Sequence, residues 1–170
     1  MQNTGVKWGL IGGALSVLIS LLTYLIGPTM YIKLGSWLGF ISILVVLALA
    51  GREERKNHGG YISFQELLRP IFLTFVIILV ISTLMQVIMM KLIDPGLADI
   101  IKQTTIEGME KLKGLMGDEA FDKAMEDINA KDFSGSLRDT GLGLAFNILF
   151  GFGLCALYAV IMKRKNPDLL

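Results

Sequence analysis

The chain has 170 residues, of which 53% are hydrophobic and 18% charged, with a net charge of +1. A water-soluble domain carries about 25% charged residues and interrupts its apolar runs, so this composition excludes one; without a basic surface interleaved with aromatics it also excludes a nucleic-acid binder. A single cysteine, Cys155, and a single histidine, His58, exclude a disulfide framework, a cysteine metal cluster and a multi-histidine site.

Four apolar runs approach or exceed the roughly 20 residues that cross a hydrocarbon core about 30 Å thick. The expected spans are 8–26, 29–50, 68–91 and 141–162. In lipid a backbone must satisfy its own hydrogen bonds, so runs of this kind are helices. The first follows only Lys7 and no A-x-A-like cleavage site follows it, so it reads as a span rather than a leader. Ile26-Gly27-Pro28-Thr29 reads as a tight turn, with Pro28 suited to the first turn of the next helix. Trp8 is expected at one membrane interface, and Tyr24 and Tyr31 at the other.

Arg52, Arg55 and Lys56 follow the second run, Arg69 lies at the start of the third, and Lys163, Arg164 and Lys165 follow the fourth. With four spans these cations share one side with Lys7, while the short first connection carries only Lys33. Basic residues beside helix ends stay in the cytoplasm. The expectation is a multi-pass protein of the cell inner (cytoplasmic) membrane with both termini cytoplasmic.

Ser63-Phe64-Gln65-Glu66 has the spacing of a capping box. Tyr61, Phe64, Leu67 and Leu68 give it an apolar side, so it reads as a short interfacial approach to the third helix, with a bend possible at Pro70. Asp94-Pro95-Gly96 is a turn signal that opens an acidic connection over 94–138. Leu97, Ile100, Ile101, Met109, Leu112, Leu115 and Met116 recur at helical spacing; Gly117 ends that helix, and Phe121, Met125 and Ile128 mark another. The fold class is therefore all-α: an integral membrane four-helix bundle of two transmembrane hairpins. A small extramembrane αα-hairpin separates helices three and four, and residues 1–170 form one transmembrane domain.

On the fourth helix Gly143, Asn147, Gly151, Cys155 and Ala159 lie four apart. Small residues at this spacing let helices approach closely; the face reads first as packing within the bundle, with self-association and a polar pathway as alternatives. Gly9 and Gly13, with Gly12, Ser16 and Ser20 beside them, then Gly35 and Gly39, offer similar packing faces. On the third helix Thr74, Ser82 and Gln86 share a side, and Gln86 lies at a depth matching Asn147, so a structural hydrogen bond between them is expected, with substrate binding as the alternative. No charged residue sits mid-span, which weighs against ion-coupled transport. His58 reads as a solvated loop residue and Cys155 as a packing residue. Asp118, Glu119, Asp122, Glu126 and Asp127 lack the spacing of a calcium loop and read as a solvated helix face. There is no Ser-His-Asp set, phosphate loop or His-Glu-x-x-His element. No catalytic residue, cofactor or metal is expected.

Four spans in a two-plus-two arrangement, Gly60-Tyr61-Ile62-Ser63-Phe64-Gln65-Glu66 before the third, the Asp94-Pro95 turn, the acidic helical connection and the short basic tail together cover nearly the whole chain. In these features the chain resembles a family of small bacterial inner-membrane proteins, found mainly in Bacteroidota and known as a domain of unknown function. The resemblance implies a fold and a compartment, and no activity, cofactor or catalytic residue. The expected role is non-enzymatic: a structural or accessory membrane protein in contact with the lipid bilayer, packing with itself as a homo-oligomer or with a membrane-protein partner. The alternative is a small transporter or channel-like subunit acting as an oligomer.

Overall fold

A computed structural model describes residues 3–131, 133 and 136–164. Helix α1 (Thr4–Ile26) is capped by Asn3, whose Oδ1 accepts from Gly5 N at 3.0 Å. It ends at Gly27, whose φ of 154° suits a residue without a side chain, and α2 (Pro28–Asn57) begins at once on Pro28. The expected span stops at residue 50, where the apolar residues stop, but α2 continues to Asn57. Its extension holds good helix formers, and Arg55 and Lys56 sit in the last turn, where the helix dipole favours cations. Glu53 in that extension accepts from Lys7 Nζ at 2.8 and 2.9 Å and from Trp8 Nε1 at 2.8 Å, which ties it to the start of α1.

Helix α3 (Phe64–Ile88) opens with the anticipated capping box: Glu66 N donates to Ser63 Oγ at 3.4 Å, and Ser63 N donates back to Glu66 Oε2 at 2.9 Å. Pro70 sits inside this helix, and Thr74 Oγ1 donates to its carbonyl at 2.8 Å. A π-helical turn, Met89–Ile93, follows and closes with Asp94 N donating to Met89 O at 2.8 Å. The extramembrane hairpin is α4 (Leu97–Met116) and α5 (Asp118–Ala130), joined at Gly117 with φ 81°. Helix α6 (Leu137–Met162) is capped by Ser136, whose Oγ accepts from Asp139 N at 3.2 Å. Four of these helical stretches, Thr4–Ile26, Pro28–Asn57, Phe64–Ile93 and Arg138–Met162, are long and apolar enough to cross a membrane. The chain is a multi-pass membrane protein.

The closest packing is between α1 and α3. Gly5, Gly9, Gly12, Gly13 and Ser16 of α1 are buried, and a Cβ placed on Gly9 would come 2.7 Å from Ile77 Cβ. On Gly5 it would meet the Pro70 carbonyl oxygen at 2.8 Å. In lipid no hydrophobic force drives helices together, so this close fit, with interhelical hydrogen bonds, holds them. Two such bonds cross here: Thr74 Oγ1 to Gly5 O at 3.2 Å and Ser82 Oγ to Ser16 Oγ at 2.9 Å.

A cluster of Leu47, Ile62, Leu67, Ile71, Phe75, Cys155 and Ala159 fills the end of the bundle near the α2–α3 turn. There Ile62 and Arg164 exchange backbone hydrogen bonds at 3.0 and 3.1 Å, pinning the end of α6 to that turn. A smaller cluster, Met89, Met90 and Leu97, seats the base of α4 on the opposite end, with Tyr24, Tyr31 and Ile101 against it. The tip of the α4–α5 hairpin stands free: Leu115 is 85% exposed.

Alanine at Gly9 or Gly151 must displace a neighbour, because the Phe75 ring lies over Gly151. Gly9→Ala and Gly151→Ala are expected to lower stability by about 1–3 kcal/mol. Gly39 and Gly143 have nothing within 4 Å of an added Cβ, so alanine there should be neutral or stabilising by up to about 1 kcal/mol. Thermal melts in one detergent compare the four. The Glu53 carboxyl lies beyond the apolar run of α2, and hydrogen bonds from Lys7 and then Trp8 hold its pKa below the ordinary 4.5. Its stabilisation is therefore complete above 4.5 and lost as pH falls through the lowered value. Melts of Glu53→Gln should show a smaller loss of stability on acidification than the parent chain.

Candidate functional site

Between the two clusters the bundle is open on one side. Helix α6 is bound at the turn end, where Cys155 and Ala159 are buried and Tyr158 OH donates to Leu44 O at 3.2 Å. Towards the hairpin end it leans away: Asn147 is exposed, Phe146 is 69% exposed, and Gly143 faces open space. The gap holds a cleft with two lobes of about 410 and 460 Å³ that share Gln86, Ile101 and Asn147. One lobe runs inward between α1, α2 and α3, lined by Ser16, Ser20, Tyr31, Ser36 and Ser82, with apolar walls from Ile19, Ile32, Phe40 and Ile43. The other runs under the hairpin, past Thr83, Thr105 and Thr140 to Lys131 and Asp139.

Helical rise places these groups in depth. At ~1.5 Å per residue Gln86 lies about 7 Å below Lys91, while Ser16 and Ser82 lie about 14 Å below the hairpin end of the bundle, near the membrane centre. The cleft therefore starts at the hairpin end and stops at mid-membrane, where Ser16 and Ser82 bond to each other. Beyond them the turn-end cluster and the glycine stripe close the bundle.

Polar groups in the closed half are satisfied: among the described residues no fully buried side-chain nitrogen or oxygen lacks a partner. The cleft differs. Ser36 Oγ donates to Ile32 O, and Asn147 Nδ2 donates to Gly143 O at 2.8 Å, which leaves its Oδ1 free. The Gln86 side chain, the Tyr31 hydroxyl and Ser20 Oγ make no hydrogen bond to another described residue. The expected Gln86–Asn147 bond is thus not formed: both side chains line the cleft, but Asn147 turns to its own helix because α6 stands off from α3 at this depth.

The five-residue face of α6 splits. Gly151, Cys155 and Ala159 pack inside the bundle, Gly151 under Phe75, whereas Gly143 and Asn147 line the cleft. The serines of α1 and α2 and Tyr31 were not singled out as a site from the sequence; their shared signal is hydroxyls within apolar runs that fall on facing helices. At the hairpin end Tyr24 OH donates to Asp94 Oδ2 at 3.2 Å and stacks edge-on against Tyr31, which sets the Tyr31 ring in the cleft wall.

The cations Arg52, Arg55, Lys56, Arg69, Lys163 and Arg164 all lie at the turn end, with Lys7; Lys165 lies outside the described residues. A second concavity there, of about 560 Å³, is lined by Asn3, Glu54, Asn57, His58, Glu66 and Arg69. Glu66 is taken up by its cap and His58 Nδ1 lies 3.0 Å from Glu54 O, so this is a solvated polar surface. Among the described residues no three His, Cys, Asp or Glu side chains converge as metal ligands.

Four membrane-crossing helices with an extramembrane hairpin between the third and fourth define a small multi-pass membrane protein. The model of the family described as Protein of unknown function (DUF4199) matches residues 7–164, and the chain belongs to that family. No curated protein and no solved structure matches it.

A hydrated cleft admits small polar reagents. With Cys155→Ala as background, Ser36→Cys and Gln86→Cys should react with a water-soluble methanethiosulfonate in intact membranes. Native Cys155, fully buried, should stay unlabelled at the same dose; mass shifts of the purified chain report both.

Proposed function

We propose that the chain is a non-enzymatic accessory protein of the bacterial inner membrane, oriented with both termini in the cytoplasm, that binds a ligand or partner in the cleft on the far side. The observation that carries this reading is the asymmetry of the bundle. Half of the membrane thickness is sealed by glycine-mediated contacts and an apolar cluster, and half is open and polar. A sealed half offers a single chain no through-path, while an open polar half offers a binding surface. The cations at the turn end support this orientation, since basic residues beside short connections stay in the cytoplasm.

The second reading, a small transporter or channel-like subunit acting as an oligomer, is favoured by one feature alone. The cleft reaches mid-membrane, the depth at which alternating-access sites lie. Flux decides between the two. Purified chain in liposomes should be silent for ions and small neutral solutes, and sustained flux above empty liposomes would establish the second reading. Reporter fusions at each terminus should both give cytoplasmic signals, with an outward reporter only at the α4–α5 tip. Opposite signals from the two termini would end the four-span topology.

A further inference from the structure

We infer, building on the binding reading above, that the cleft is a site for an uncharged amphiphile: a head bearing hydroxyl or amide groups, and an aliphatic tail that leaves between α2 and α6. Three independent features of the cleft lead there.

The first is hydrogen-bonding capacity that the protein's own groups leave open in the cleft. The side chains of Ser20, Tyr31 and Gln86 make no hydrogen bond to another described residue, and Asn147 Nδ2 is taken by Gly143 O while its Oδ1 faces the cleft. Water bonds them in the open cleft, and a ligand that displaces this water must return the same bonds or lose affinity. They comprise both donors and acceptors, and the complementary head must offer both, as hydroxyls and amides do.

The second is charge. The inner lobe is lined by no acidic or basic residue. A phosphate or an ammonium drawn there would lose its hydration without a counter-ion, a penalty of several kcal/mol even after relaxation. Lys131 and Asp139 lie in the other lobe, under the hairpin. The inner lobe therefore selects a neutral head.

The third is shape. A volume of about 460 Å³ suits a small head with part of a chain and is far too small for a transmembrane helix. Helices α2 and α6 touch near Tyr158 and Leu44; nearer the hairpin, Gly39 of α2 and Gly143 of α6 each face open space, with nothing within 4 Å of an added Cβ, and between these helices we place a lateral gap. That lateral gap faces acyl chains, and the walls beside it, Ile32, Phe40 and Ile43, are apolar. A tail fits the gap while the head remains among the polar groups.

The test uses the full chain in detergent, with three probes of equal chain length: 1-oleoylglycerol, oleoyl phosphate and oleylamine. Native mass spectrometry should retain one oleoylglycerol per chain and neither charged probe. Oleoylglycerol should also slow thiol labelling of Ser36→Cys by at least tenfold. Gln86→Leu and Asn147→Leu, which suit lipid and leave the packed half untouched, should each weaken oleoylglycerol binding by about tenfold while their melts stay close to the parent. Equal retention of the charged probes, binding unaffected by both substitutions, or no protection by any probe would overturn the assignment. Flux in liposomes together with selective oleoylglycerol binding supports the site and overturns only the accessory reading. Absence of binding in a flux-silent protein overturns the site alone.

Discussion

The contact on which the molecule depends is the one between α1 and α3. Bare glycine faces at residues 5, 9, 12 and 13 let the Leu73, Ile77, Ile78 and Ile81 side chains lie against backbone. In a bilayer this carries more weight than in water, because apolar surface gains nothing by leaving lipid for another helix. What remains is dispersion at short range and hydrogen bonding across the contact, and this pair has both. A glycine in a helix interior costs roughly 0.5–1 kcal/mol against alanine, and close packing offsets that cost only where the partner fills the space. Gly9 and Gly151 meet this condition; Gly39 and Gly143 do not.

From that contact the asymmetry of the bundle follows. Helix α1 occupies one flank of α3 along its length, so α6 has only the other flank, and the backbone pairing of Ile62 with Arg164 fixes its turn end there. Phe75 fits over Gly151, and Cys155 and Ala159 continue the fit. Towards the hairpin end α3 presents Ser82 and Gln86 and then a π-helical turn, while α6 presents Gly143 and Asn147. Val87, Met90 and Leu144 line the space without filling it. A π-helical turn adds a residue to the helical circuit and is frequent at functional sites; here it places Met90 in the cleft wall and Asp94 against Tyr24.

The hairpin and the cleft are mechanically linked. Leu97, Met89 and Met90 seat the base of α4, and Ile101 is both part of that seat and a wall of both lobes. An exposed ion pair, Lys33 with Glu107 at 3.2 Å, is the other tie between α4 and the membrane helices, and such pairs contribute about 0–1 kcal/mol. The hairpin is thus held at its base over the cleft and is solvated at its tip.

Much of this was written in the chain. Run length and the absence of charge determined four membrane helices, because a continuous apolar run of about 20 residues satisfies its own backbone in lipid as a helix. Gly27-Pro28, Ser63 with Glu66, Asp94 to Gly96 and Gly117 each determined a turn or a cap, because those are local requirements of the backbone. What the sequence left open was which of several equivalent small-residue faces meets which. Gly143, Asn147, Gly151, Cys155 and Ala159 form one even stripe by spacing, yet three of the five pack and two line a cleft, since packing depends on what stands opposite and how far away. Gln86 and Asn147 share a depth, but a hydrogen bond needs about 3 Å, and only the tilt of α6, set at its far end, decided that they stay apart.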